Sequence, residues 1–88
     1  MAEFDNKVVI VTGAGSGMGS QIARDFVMAG AVVIFVGRRI DALNAVVTDL
    51  PPDRAIVRAL DVSDRVSVNA VVGEVIETYN RVDILINN

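Results

Sequence analysis

Along the chain, apolar positions alternate between two rhythms. Val8 to Val11 is an unbroken aliphatic run, the pattern of a strand buried on both faces, and it opens into Thr12 and a loop with glycine at every second position from Gly13 to Gly19. A helical spacing follows at once: a helix is predicted from Gly17 to Ala29, with Met18, Ile22, Phe26 and Val27 on one face and Gly30 as its left-handed terminator. Ala31 to Val36 predicts a second strand. Asp41 is the expected cap of a helix carrying Leu43, Val46, Val47 and Leu50 at helical spacing, which Pro51 and Pro52 cannot continue. Ala55 to Leu60 predicts a third strand. Ser63 or Asp64 is the expected cap of a helix whose face holds Val68, Val71, Val72, Val75, Ile76 and Tyr79, and Val82 to Ile86 predicts a fourth strand. Valine favours strands by propensity, but spacing decides for helix in that stretch.

The resulting β-α-β-α-β-α-β order implies an α/β fold of Rossmann type. Each crossover is right-handed, so the strands form a doubly wound parallel sheet in the order 3-2-1-4 with helices on both faces. Over residues 1–88 the chain is one domain at most, since no repeat, low-complexity tract or linker divides it. A ligand is expected across the carboxyl ends of the strands, between the first and the fourth, where the winding reverses.

Composition narrows the chemistry. Of 88 residues 52% are apolar but only 5% aromatic, which suits a core of small aliphatic side chains in a helix-covered parallel sheet. There is no cysteine and no histidine, which removes disulfides, zinc-thiolate sites and the commonest general base. A net charge of -3 and a pI near 4.6 argue against a nucleic-acid partner. No apolar run approaches the length of a membrane span, and the N-terminal residues lack a basic segment followed by an apolar one. Neither a membrane partner nor a secretory signal is therefore expected, and a cytoplasmic location is.

The glycine loop points to a phosphate. A strand that feeds such a loop into a helix N-terminus aims free N–H groups and the positive end of the helix dipole at one spot. The common GxGxxG/A spacing fails, because counting from Gly13 it places Met18 where glycine or alanine is needed. The spacing present is Thr12-Gly13-x-x-x-Gly17-x-Gly19. It resembles the cofactor loop of the short-chain dehydrogenase/reductases, which bind NAD or NADP. Asp61-Val62 after the third strand resembles that family's Asp-Val pair, in which the carboxylate accepts from the adenine amino group. Asn87-Asn88 resembles the start of its Asn-Asn-Ala-Gly motif, so the likeness runs along the whole chain. It implies a cofactor site of Thr12, Gly13, Gly15, Ser16, Gly17, Met18 and Gly19 in the loop, with Arg38, Arg39, Asp61, Val62, Asn87 and Asn88 at the ends of the other strands. Taken alone, these residues leave plainer readings open: a flexible glycine-rich turn, a helix cap at Asp61, a polar strand exit at Asn87-Asn88 and two solvated arginines.

Cofactor choice turns on the end of the second strand. NAD binders place a carboxylate there for the ribose 2′-hydroxyl, whereas this chain has Gly37-Arg38-Arg39. A guanidinium at Arg38 pairs with a 2′-phosphate, so NADP(H) is favoured and NAD(H) is the alternative. The resemblance also implies hydride transfer between nicotinamide and a carbonyl or alcohol, run by a Ser, a Tyr-x-x-x-Lys pair and an Asn. The only tyrosine here is Tyr79, with Asp83 four residues on, and the only lysine is Lys7. No catalytic residue is assigned, and these 88 residues alone are expected to be inactive: the resemblance implies the N-terminal part of a Rossmann-type NAD(P)-binding domain, truncated to four strands, from an oxidoreductase. The alternative is a non-catalytic nucleotide-binding or self-association module. The fourth strand is apolar on both faces yet lies at a sheet edge, so self-association through it is expected.

Overall fold

The four aliphatic runs pair as parallel strands in the computed structural model, which describes residues 3–88. Strands β1 (Val8–Thr12), β2 (Val32–Gly37), β3 (Ala55–Ala59) and β4 (Ile84–Ile86) form one sheet in the order β3-β2-β1-β4. In register, Val11 lies beside Phe35 and Ile86, and Phe35 beside Val57. Helices α1 (Gly17–Met28), α2 (Ile40–Val47) and α3 (Arg65–Tyr79) supply the crossovers.

Alternation along the strands sends side chains into two cores. Val9, Val11, Val33 and Phe35 pack with Ala23 and Val27 of α1 and Leu43 of α2. Val8, Ile10, Ile34 and Val36 pack on the other face with Val75 of α3. Helices thus cover both faces, and the change of side between α2 and α3 is what opens a crevice at the carboxyl ends of β1 and β4.

Several boundaries differ from the sequence expectation, each for a local reason. The buried stripe of α1 is Gly19, Ala23 and Val27, so Met18, roughly 100° round the helix, stands 72% exposed rather than in the core. Ile76 is displaced from Val75 in the same way and is also exposed. At α2 the cap position belongs to Arg39, whose side chain makes no capping bond. Asp41 sits in the first turn instead, where the Ala42 N–H and then Arg39 hold its carboxyl below the usual range. The helix ends at Val47, and Leu50 reaches the core from the turn that follows. At α3 the cap is Asp64, accepting from the N–H groups of Val66 and Ser67 at 3.1 and 3.4 Å, and not Ser63. Asn80, at φ 63°, ends that helix in the left-handed region.

Strand β4 begins at Ile84 rather than Val82 because Asp83 uses its side chain in the ladder. Its Oδ2 accepts the Val8 N–H at 2.8 Å, while its own N–H donates to the Val8 carbonyl. Arg81 donates to the other oxygen at 2.7 Å, and these contacts, Arg81 first, lower the carboxyl's pKa. A forked ion pair joins α1 to the turn after α2. Arg24 donates to both oxygens of Asp49 at 2.8 and 2.9 Å and also to the Val46 carbonyl. The Asp49 carboxyl is lowered to about 2, chiefly by that guanidinium. Its contribution to stability is complete above the ordinary carboxylate range and is lost only as pH falls through the folded-state value.

Candidate functional site

The turn between β1 and α1 is shaped by two backbone demands. Gly17 has φ +59°, a conformation that costs any residue with a Cβ, and the space a Cβ would occupy there is open. Gly19 is constrained by contact instead: a Cβ would run into the Gly13 carbonyl and lie 2.5 Å from Asn88 Nδ2. The glycines therefore divide the work, one turning the chain and one letting the helix close against the loop.

Two polar side chains hold that loop in place. The buried Thr12 hydroxyl donates to the Ile86 carbonyl at 3.3 Å and accepts the Asn88 N–H at 3.2 Å. Asn88 Nδ2 donates to the Gly13 carbonyl at 3.3 Å, and the Ala14 N–H donates to the Val36 carbonyl at 3.0 Å. Thr12 and Asn88 thus join the carboxyl ends of β1 and β4 and set where the loop stands.

Beyond the clamp lies an open cleft of about 290 Å³, lined by Gly13, Gly15, Ser16, Gly37, Arg38 and Arg39. Its floor is α2: Ala42 Cβ would stand 3.4 Å from a Cβ on Gly15, and Leu43 Cδ2 would stand 3.2 Å from one on Gly37. Ser16 takes the α1 cap position with an extended backbone but makes no capping bond, and the first turn carries no acidic side chain. The N–H groups of Gly17, Met18 and Gly19 have no intrahelical acceptor. Free donors, the dipole end and open space above Gly17 fit the diphosphate of a dinucleotide.

At the far wall, Arg38 and Arg39 have different surroundings. Arg39 Nη2 contacts Asp41 Oδ2 at 3.3 Å, whereas Arg38 Nη2 stands 3.9 Å from Asp61 Oδ2. Asp61 Oδ1 accepts both the Ser63 N–H at 2.9 Å and the Ser63 hydroxyl at 2.7 Å. These bonds, and after them the Arg38 charge, lower the Asp61 carboxyl.

The structure therefore gathers the glycine loop, Gly37, Arg38, Arg39 and Asp61 around one end of the sheet. Val62 and Asn87 lie instead in an apolar crevice of about 70 Å³ on the α3 side, with Leu60, Val36 and Leu85. Met18 projects outward from the first turn of α1. Ala42, Leu43 and Ser63 were not anticipated as parts of the site. Leu43 was legible as a core position, but only the fold shows that it backs Gly37. Tyr79 ends α3 and packs in the core under that helix. Because α3 runs back against the strands, it lies toward their amino ends, away from the cleft.

The family model for short chain dehydrogenase matches residues 7–88. A meso-2,3-butanediol dehydrogenase from Serratia marcescens is 46% identical over 85 residues, covering 97% of this chain and 34% of that protein. The crystal structure of a short chain dehydrogenase from Bacillus anthracis superposes with a TM-score of 0.91 at 33% identity, over 97% of this chain and 35% of that one. A 3-ketoacyl-(acyl-carrier-protein) reductase from Brucella melitensis, solved in complex with NADH, superposes with a TM-score of 0.85 at 35% identity, over 94% and 34% of the two chains. The chain thus spans about a third of the length of these relatives.

Proposed function

The chain belongs to the short-chain dehydrogenase family of oxidoreductases with an NAD(P)-binding fold, and from that premise we propose that it is the NADP(H)-binding portion of an enzyme moving hydride between nicotinamide and a carbonyl or alcohol. The observation that carries the cofactor choice is the tip of β2. Gly37, buried against Leu43, stands where a carboxylate would serve a free ribose 2′-hydroxyl, and the next residue at the cleft is the exposed Arg38. When bound, the dinucleotide supplies the hydride. The residues of this chain hold it: first-turn N–H groups of α1 for the diphosphate, Arg38 for the 2′-phosphate, Asp61 for the adenine amino group.

Calorimetric titration tests this assignment. NADP(H) should bind more tightly than NAD(H), and Arg38→Ala should weaken NADP(H) roughly tenfold or more, the scale of one charge-assisted hydrogen bond, while leaving NAD(H) nearly unchanged. Equal affinities of the folded parent chain for the two cofactors would reject it, and tighter binding of NAD(H), the form bound by the Brucella melitensis relative, would reverse it.

The chemical step belongs to groups outside these residues, since Tyr79 faces the α3 core rather than the cleft, and the 88 residues alone are inactive in this reading. The acidic balance supports a reading without a nucleic-acid partner. Among the described residues no helix is long and apolar enough to cross a membrane, which supports a reading without a membrane partner.

A second reading, association of copies through β4, draws on the sheet edge. Among the described residues strand β4 pairs only with β1, and Leu85 is 48% exposed beside the apolar crevice. Leu85→Lys is the informative variant, because Ile84 and Ile86 pack against the α1 and α2 core and a charge there would disturb folding. Light scattering at micromolar concentration should show dimers or larger species that shift toward monomer with Leu85→Lys. A monodisperse monomeric parent would remove this reading.

A further inference from the structure

Arg38 is positioned by more than its own strand. The Leu60 N–H donates to the Gly37 carbonyl at 2.8 Å, and Gly37 lies opposite Ala59 in the sheet register, so the residues that leave β2 and β3 emerge side by side. Asp61 is fixed in turn by Ser63, which occupies Oδ1 with two hydrogen bonds. The other oxygen, Oδ2, faces Arg38 at 3.9 Å. Arg39 is directed elsewhere, toward Asp41 on α2. One arginine at the cleft wall thus stands next to a fixed carboxylate, and both groups are solvent-exposed, so the guanidinium is free to exchange that neighbour for an incoming anion.

We infer that Asp61 sets the size of the cofactor preference, because its carboxylate competes with the ribose 2′-phosphate for the Arg38 guanidinium. The inference rests on the NADP(H) reading of Arg38. A phosphate that recruits Arg38 must draw it from Asp61 and then sits within several ångströms of a like charge. NAD(H), lacking that phosphate, meets neither penalty. Asp61 therefore acts as a brake: Arg38 makes the site accept NADP(H), and Asp61 limits how far NADP(H) is preferred. Any contact of Asp61 with adenine is common to both cofactors and cancels in the ratio of their affinities.

The test is a cycle of four chains, the parent, Asp61→Asn, Arg38→Ala and the double variant, each titrated with NADP+ and with NAD+. Asparagine keeps the size of the side chain and an oxygen for the Ser63 donors, so only the charge is removed. The NADP+ to NAD+ affinity ratio should rise about three- to tenfold in Asp61→Asn, the scale of a screened charge interaction over these distances. In the Arg38→Ala background less than half of that gain, on a logarithmic scale, should remain. An unchanged ratio would overturn the inference, and a lowered one would show that Asp61 orients Arg38 instead of competing for it. An undiminished gain without Arg38 would reduce the effect to plain repulsion and overturn the competition. If Arg38→Ala alone leaves the ratio untouched, the NADP(H) reading itself falls, a result distinct from each of these.

Discussion

Gly19→Ala is expected to remove detectable nucleotide binding and to lower the stability of the domain by about 3 kcal/mol, the upper part of the range for overpacking a well-packed site. The variant adds one methyl group. That methyl has nowhere to go, because the Gly13 carbonyl and Asn88 Nδ2 already occupy the space, and Gly13 and Asn88 are themselves joined by a hydrogen bond. Relief requires the loop to move off α1 or the Asn88 clamp to open. Either change displaces the first-turn N–H groups that would hold a diphosphate. Gly17→Ala provides the contrast: its left-handed φ costs roughly 1–2 kcal/mol, but the methyl enters open space. Thermal unfolding paired with NADP(H) titration separates the two, and a Gly19→Ala chain that binds as tightly as the parent would show that the loop geometry described here is not what the cofactor needs.

The contrast between those glycines marks how far the sequence could be read. Strands, helices, their order and the two-faced covering of the sheet follow from the periodicity of local apolar residues, and the aliphatic run at Val8 to Val11 is buried throughout as its pattern implies. The glycine loop was legible as a turn from strand into helix because its spacing is a local signal. What Gly19 touches was not, since Asn88 lies at the other end of the chain. The same holds for the bonds that Asn88 makes to the Thr12 hydroxyl and the Gly13 carbonyl, which join residues more than 70 positions apart. Polar side chains at strand ends have identical sequence signatures whether they face a ligand or a neighbouring strand. Asp83 repeats the lesson: a carboxylate in an apolar run looks like an interruption, and only the parallel neighbour shows that it takes the next ladder hydrogen bond from Val8. Met18 is a different error, one of phase. The helix starts so close to the loop that Gly19, with no side chain to score, is the residue that faces the core.

Phe35→Ala should have the largest effect on folding of any single truncation. Phe35 heads the largest fully buried side chains, sits in the central strand pair between Val11 and Val57, and packs where α1 and α2 both meet the sheet. Truncating a buried phenylalanine costs about 3–5 kcal/mol, from lost transfer free energy and from the cavity left behind. The sheet offers little collapse, because the flanking residues Val11 and Val57 are short side chains held in the strand ladder. For a folded unit of these 88 residues, that cost corresponds to a fall in Tm of about 15 °C or more. It is also a large share of the ~5–15 kcal/mol by which native domains are stable. Phe4→Ala tests whether size alone decides. Phe4 packs edge-on against Phe26 with centroids 5.2 Å apart, but it is only partly buried at the margin of the same core. Its loss should cost well under half as much. Phe35→Leu should recover most of the stability by refilling the volume in part, and it leaves Gly37 and Arg38 two and three residues further on undisturbed. Circular dichroism melts of the three variants check the ranking. A Phe35→Ala chain that melts within a few degrees of the parent would mean that the two helices can close over the gap and that the core is less tightly determined than its packing implies.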